Sequence, residues 1–355
     1  MTPNYLYNQA KYTIVTETEF KQHLESFLLR PHLVILGAGA TMATIPNGDK
    51  NGKKSCVMDN MIDILNLGDI LKDVKLKTES KNIEDIYSEL SDSDIYKEVR
   101  DNLELAIRKY FCSLELPDFP TIYDLLVLSL RDKDCIASFN WDDLLIQAYQ
   151  RVSKITKKLP ILLFLHGNIS AGFCTKCNSM GSLNSQCPEC GQPFEPSPLL
   201  FPVRKKDYSN FFFITQWQEF KDYVQYAGYI TIFGYSAPKS DVEAIKIMQE
   251  AFSTESKLWH AIEVIDTGDE SKITDNWSFF GEPTHWHFKV IKSLFNSILA
   301  EFPRRSLEGY YKRNYGAKGV WFGKSGVQLN PDCKNILELF TPLLENEKRN
   351  DFDVI

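Results

Sequence analysis

Leu33-Val34-Ile35-Leu36-Gly37-Ala38-Gly39-Ala40-Thr41 is a short apolar run that ends in a glycine turn. Four consecutive aliphatic residues with no polar alternation suit a strand covered on both faces, as in a parallel sheet flanked by helices. The Gly-Ala-Gly that follows lets backbone amides approach a phosphate with no side chain between, where a helix or loop begins. A complete G-x-G-x-x-G is lacking, since Met42 stands three residues beyond Gly39, and an ordinary tight strand exit reads the same way.

Outward from this run, four more apolar stretches occur at Cys135 to Phe139, Ile161 to Leu165, Tyr229 to Phe233 and Ala261 to Ile265. Helix-like segments lie beside them at Asp142 to Val152 and Asp241 to Phe252. The alternation predicts an α/β fold with a Rossmann-like, mostly parallel sheet. Residues 47 to 56 are polar and glycine-containing, hence a loop, and the segments after them carry apolar positions three or four apart. Residues 47–130 are therefore expected to form an inserted helical cap. The core is expected from 31–46, 131–167 and 200–300, with a C-terminal extension at 301–355, all within one unit spanning 1–355. The helical pattern from Glu17 to Leu29 is stopped by Pro31.

Two C-x-x-C pairs, Cys174 with Cys177 and Cys187 with Cys190, are separated by nine residues. Each knuckle supplies two thiolates, and four complete a tetrahedron with no open position, which predicts one structural zinc ion in a small module at 168–199. Gly181 and Gly191 are expected to help the chain turn around it. Four thiolates also suit an iron–sulfur cluster. Cys56, Cys112, Cys135 and Cys333 share no spacing and read as free thiols of a reducing compartment.

Polar residues gather where the apolar runs end, the position at which parallel sheets bind ligands. Asn140 interrupts a run beside Trp141, and Asp142 and Asp143 follow, one of them in position to cap the next helix. His166 ends the run before Gly167 and reads equally as a base near neutrality or as a structural histidine. Gly234 permits close approach, and Ser236 and Asp241 suit either ligand contact or a turn and cap. Asp266 ends the last run, where it could accept from a ribose hydroxyl.

The 355-residue chain is 43% hydrophobic, 25% charged and of formal charge -7, which does not suit general nucleic-acid binding. No signal-like start and no apolar run long enough for a bilayer are legible, so a cytoplasmic location and no membrane association are expected. Arg304, Arg305, Lys312 and Arg313, interleaved with Tyr310 and Tyr311, read either as a basic-aromatic patch for a partner or nucleic acid or as a solvated tail.

Taken in order, Gly37-Ala38-Gly39, Asn140 with Asp142, His166-Gly167, the two cysteine pairs and Gly234-Tyr235-Ser236 resemble the sirtuin superfamily over residues 31 to 267. The resemblance implies NAD held by a Rossmann-type domain, with Asn140 and His166 catalytic. Gly37, Ala38, Gly39, Ala40, Thr41, Pro46, Asp142, Gly234, Ser236 and Asp266 are then expected beside NAD. Departures from the protein deacylases are Phe139 where they carry glutamine, the shorter turn after Thr41 that keeps Pro46 but no arginine, and the closer cysteine pairs. In these the chain looks more like the sirtuin-like NAD hydrolases of bacterial antiphage defence. That likeness implies NAD hydrolysis and silence until a trigger or partner protein arrives, and a homo-oligomer is expected because most soluble enzymes of this kind assemble symmetrically. A deacylase or ADP-ribosyltransferase, and a non-catalytic NAD-binding scaffold, are the alternatives.

Overall fold

The computed structural model describes residues 22, 25–201, 208–237, 241–252, 261–278, 288–315 and 327–351. Most of the helical pattern from Glu17, together with His260, His285 and His287, lies outside these residues. Within them the opening run forms β1 (His32–Leu36), with Leu33 to Leu36 all fully buried. Burial along its whole length marks β1 as an interior strand of a sheet covered on both faces.

Six strands form that sheet: β1, β2 (Cys135–Ser138), β3 (Ile161–Phe164), β7 (Tyr229–Phe233), β8 (Ala261–Ile265) and β9 (Phe288–Ile291). Their order is β3-β2-β1-β7-β8-β9 and every pairing is parallel. The chain winds away from β1 in both directions, which opens a crevice between the carboxyl ends of β1 and β7. Register puts Leu36, Ser138, Phe164 and Phe233 at one height. Asn140 and His166, each two residues further on, therefore emerge at the same edge.

Between β1 and β2 lie helices Met61–Ile64, Gly68–Leu71, Ile83–Ser91, Lys97–Phe111 and Ile122–Leu128. Helix Ile122–Leu128 starts at a capping box of Thr121 and Asp124 and packs against helices Leu144–Val152 and Ala38–Thr44. Apart from the large sheet, β4 (Ala171–Cys174), β5 (Ser179–Ser182) and β6 (Glu195–Pro196) form a small antiparallel sheet in the order β5-β4-β6.

Two features differ from expectation. Strand β9 follows a stretch with no long apolar run, and its four residues are only half-buried at the sheet edge. The supposed basic-aromatic patch is mostly interior: Arg304 and Arg305 are each 1% exposed and share Glu347, while Tyr310 is also buried. Arg304 donates to the carbonyls of Leu128 and Leu130, at 3.0 and 2.9 Å, so its charge caps the end of a helix instead of facing a partner. Likewise His32 is a core residue, its ring nitrogens 2.8 Å from Ser306 Oγ and Thr231 Oγ1, and burial pushes its pKa down to about 3. No helix among the described residues is long and apolar enough to cross a membrane.

Candidate functional site

A cavity of about 310 Å3 opens at the carboxyl edge of β1, β2, β3 and β7. It is lined by Gly37, Ala38, Gly39, Asn140, Asp142, His166, Gly234 and Ser236, all singled out from the sequence. Ala40 and Thr41 stand behind this lining in helix Ala38–Thr44 and are buried. Pro46 is exposed in the turn beyond that helix, and Asp266 lies at the end of β8, where its Oδ1 accepts from the Gly268 amide at 2.7 Å. The structure brings neither to the cavity.

The Asn140 amide is held from behind. Its Nδ2 donates to the Gly37 carbonyl at 2.9 Å and to Thr41 Oγ1 at 3.0 Å, with the Tyr123 hydroxyl at 3.2 Å. A carbonyl can only accept, so this contact fixes which end of the amide is nitrogen and leaves Oδ1 as the acceptor end on the other side. Thr41 Oγ1 also donates to Asp142 Oδ2 at 2.9 Å, and Asp142 Oδ1 accepts from the Leu144 amide at 3.1 Å. Asp142 is thus both part of the lining and bonded to the first residue of helix Leu144–Val152, whose N-cap position is Asp143. Its neighbour Asp143 instead takes Gln147 Nε2 and the Ser170 hydroxyl, at 2.8 and 2.9 Å.

Burial pushes the Asp142 carboxyl up to about 6, against the hydrogen bonds from Thr41 and Leu144 that pull it down. Raising an acid's pKa on folding means that the folded state binds the proton more tightly than the unfolded chain. The stability it contributes is therefore present below the ordinary pKa near 3.8 and is lost as pH rises to about 6. Two pKa units correspond to about 3 kcal/mol, so Asp142→Asn is expected to be more stable than the parent by up to that amount at pH 7, and by nothing at pH 3.5. Urea unfolding at both pH values checks this; a gain independent of pH would assign the effect to packing.

His166 is positioned by backbone contacts. Its carbonyl accepts from the Leu200 amide at 3.0 Å, and Gly167 follows at φ +80°, where a Cβ would lie 1.9 Å from the Pro198 carbonyl oxygen. Only glycine lets the chain turn away here under the 198–200 segment. The imidazole meets Phe139 edge-on with centroids 4.7 Å apart, and Nε2 is 3.4 Å from the Tyr208 hydroxyl. Phe139 in turn stacks on Tyr235 at 4.0 Å, and Tyr235 donates to Asp241 Oδ2 at 3.0 Å. Asp241 therefore orients an aromatic wall of the cavity.

The glycines act differently from the expectation drawn from the turn pattern. Gly39 N donates to the Gly234 carbonyl at 3.0 Å, so this amide is not open to a phosphate. A Cβ on Gly39 would stand 2.8 Å from Gly234 Cα, and one on Gly37 would stand 2.5 Å from Gly234 O. The primary need for glycine is thus the backbone-to-backbone contact of the turns after β1 and β7.

Sequence reasoning missed the far wall. Ser55, Met58, Asp59, Asn82, Glu84 and Phe111 reach the cavity from the chain between β1 and β2, and Trp141 and Tyr235 from the sheet edge. Trp141 and Tyr235 adjoin chosen residues and could have been inferred. Tyr123, which holds Asn140, gave no local signal because its place on an apolar helix face accounts for it fully.

The cysteine module fits zinc. One ligand atom from each of Cys174, Cys177, Cys187 and Cys190 lies within 4.8 Å of all the others, and Cys174 and Cys190 Sγ are 3.6 Å apart. Thiolates at about 2.3 Å from a central zinc would stand about 3.8 Å apart. Each knuckle closes by an amide donating back to its first cysteine: Asn178 N to Cys174 O and Gly191 N to Cys187 O, both at 2.8 Å, with Asn178 and Gly191 at positive φ. Gly181 instead sits in β5, where a Cβ would meet the Phe194 ring at 2.3 Å, so it serves packing and not the turn. With Phe194 the only other buried residue of this small cluster, the module has little core of its own. Metal is expected to supply its stability. Cys174→Ser is expected to release zinc and open the module to proteolysis, as checked by metal analysis and limited digestion; a metal-free protein with an intact module would overturn this.

No family model matches the chain, and no curated protein matches it. Similar solved structures include a Sir2–p53 peptide–NAD+ complex, at 15% identity over 81% of this chain and 97% of that one, TM-score 0.36. A mutant Sir2 homologue with ADP-ribose is 15% identical over 82% and 96%, TM-score 0.36. Sir2 with an inhibitor, 2'-O-acetyl-ADP-ribose and a deacetylated p53 peptide is 15% identical over 81% and 97%, TM-score 0.33.

Proposed function

We propose that this chain cleaves the nicotinamide–ribose bond of NAD, with water as acceptor, to give nicotinamide and ADP-ribose. The observation that carries this reading is the convergence of Asn140, Asp142 and His166 on one cavity beside the Gly37–Gly39 turn. Nicotinamide leaves from a cationic nitrogen as a neutral molecule, so the leaving group needs no proton and no acid–base carboxylate pair is required. The task is to stabilise positive charge at the ribose carbon and to deliver an oxygen to it.

Asn140 Oδ1 accepts from the attacking water or a ribose hydroxyl, its amide fixed from behind by Gly37, Thr41 and Tyr123. His166 takes the proton released as the new carbon–oxygen bond forms. Asp142 shapes the pocket and, when ionised, places negative charge near the developing cation. Ala38 and Ser236, at the turns after β1 and β7, lie where the diphosphate would pass. Zinc held by the four cysteines would supply a structural cross-link and takes part in no step.

The alternative acceptor is an acyl-lysine peptide, favoured by the NAD, peptide and acetyl-ADP-ribose named for the similar structures. One assay separates the two. Protein incubated with NAD alone is expected to release nicotinamide and ADP-ribose in equal amounts; nicotinamide release that requires added acyl-peptide would replace hydrolysis by deacylation. We also propose, from the resemblance to defence hydrolases, that the cytoplasmic enzyme is silent until a trigger or partner protein engages it, and, from how commonly enzymes assemble, that it works as a homo-oligomer. Full turnover by an isolated monomer would remove that regulatory reading.

A further inference from the structure

The polar, glycine-containing stretch at 47–56 runs directly into the cavity wall, which takes Ser55, Met58 and Asp59 from it and from the residues just beyond. With no apolar side chain before Cys56 to anchor it, the stretch must be placed by polar contacts. Asp49 supplies them. This residue is 6% exposed and its carboxylate accepts three backbone amides: Asn51 N and Lys53 N on Oδ1, both at 2.8 Å, and Glu115 N on Oδ2 at 3.0 Å. Around it the Lys50 amide donates to the Glu115 carbonyl at 2.9 Å, Lys53 Nζ to the Ser113 carbonyl at 3.0 Å and the Tyr110 hydroxyl to the Lys54 carbonyl at 2.7 Å. Gly48 makes room for the turn at φ +101°, where a Cβ would lie 2.8 Å from the Gly52 carbonyl oxygen. The 113–116 segment is fastened in its turn, since Gln147 takes the Leu116 amide at 2.9 Å and donates to the Leu114 carbonyl at 2.8 Å. Gln147 belongs to helix Leu144–Val152, whose Leu144 amide donates to Asp142. A strap of hydrogen bonds, every link internal to the chain, therefore runs from Asp142 through Gln147 and Glu115 to Asp49 and the cavity wall.

We infer that Asp49 is a positioning residue for the cavity: by joining the 49–53 turn to Glu115 it holds the Ser55–Asp59 wall in place opposite Asn140 and His166. Where the occupant is NAD, this rests on the reading given above. A carboxylate suits the task because both of its oxygens accept, so one side chain closes the local turn and reaches across to a second segment. A ligand entering a cavity whose wall is already placed does not have to order that wall, and the difference appears as affinity. The other end of the wall is held separately, by Asn82 Nδ2 donating to Asp59 Oδ1 at 2.7 Å and by Ile83 N donating to the Met58 carbonyl at 3.1 Å. Loss of the Asp49 bonds thus loosens one end of the wall without removing it.

Asp49→Asn separates this role from a merely structural one. An amide has one accepting end, so either the turn bonds or the Glu115 bond is lost, whichever way the side chain rotates. The full zinc-bearing chain is titrated by calorimetry with a carbocyclic NAD analogue that cannot be cleaved, and backbone hydrogen exchange is followed along the same protein. The variant is expected to bind the analogue about tenfold more weakly at unchanged stoichiometry, with faster exchange confined to 50–59 and 113–116. Partial misfolding would instead lower the stoichiometry and leave the affinity of the remaining sites as it was. Gln147→Met breaks the strap at its other end and is expected to give the same pattern, so it decides if Asp49→Asn fails to fold. Faster exchange with unchanged affinity, or unchanged exchange, would overturn the positioning role while leaving NAD binding intact. A parent protein that does not bind the analogue would remove the NAD reading itself and this inference with it.

Discussion

If the proposed reaction holds, folded Asn140→Ala and His166→Ala proteins are expected to lose NAD turnover by about a hundredfold or more, while His166→Ala is expected to retain much of its affinity for uncleaved NAD. The two losses have different origins. Alanine at 140 removes the only group whose oxygen is presented by the Gly37–Thr41–Tyr123 clamp, and with it the link between the glycine turn and β2. Alanine at 166 leaves the backbone bond from Leu200 and the Gly167 turn in place, so the site would keep its outline and lack the proposed base. Each variant must keep its zinc and its oligomeric size, since both residues are buried at strand ends and a misfolded protein would also be inactive. The measurement is single-turnover nicotinamide release alongside calorimetric NAD affinity. Near-parental turnover by His166→Ala would discard the proton-accepting role even if hydrolysis itself is found.

Glu347→Ala is expected to lower stability by about 3–5 kcal/mol, among the largest effects outside the site. Glu347 is 3% exposed and takes Arg304 Nε at 2.6 Å, Arg304 Nη2 at 2.9 Å and Arg305 Nη1 at 2.7 Å. Removing it leaves two buried guanidinium groups without their carboxylate, and a cation in that position costs far more than the pair contributes when intact. The network joins helix Ile336–Lys348 to the segment after helix Ile298–Glu301 and, through Arg304, to the end of helix Ile122–Leu128. Arg313→Ala is the control, because the Arg313–Glu301 pair is about one-third exposed on each side, and its loss is expected to cost less than about 1 kcal/mol. Urea unfolding of both variants gives the comparison; similar small losses would mean that the Glu347 site relaxes to admit water.

The core strands were legible because a parallel strand buried on both faces is mostly apolar along its length. Leu33–Leu36 announces itself for that reason, and so do Tyr229–Phe233 and Ala261–Ile265 apart from Thr231 and Glu263, which are buried and paired with each other at 2.9 Å, whereas half-buried β9 at the sheet edge does not. The metal module was equally legible, since a tetrahedral thiolate site writes its geometry into the spacing of Cys174, Cys177, Cys187 and Cys190. Asn140 and His166 could be chosen from the sequence because a polar residue ending an apolar run stands at a sheet edge whatever the order of the strands.

Which edges meet depends on that order, and no local pattern encodes it. Parallel register raised Asn140 and His166 to one height, and the reversal of winding beside β1 brought Gly234 against Gly39, consuming an amide that the turn alone suggested was open. The wall contributed by Ser55, Met58, Asp59, Asn82, Glu84 and Phe111 comes from residues whose nearest partners in the cavity are distant along the chain. Arg304 carries the same lesson in reverse. Four cations beside tyrosines read as surface in a linear string, and only the tertiary structure, by supplying Glu347 and the carbonyls of Leu128 and Leu130, makes the burial of two of them affordable in free energy. Apolar periodicity and ligand spacing are short-range properties of a chain, while desolvating a charge depends on partners that only folding brings within reach.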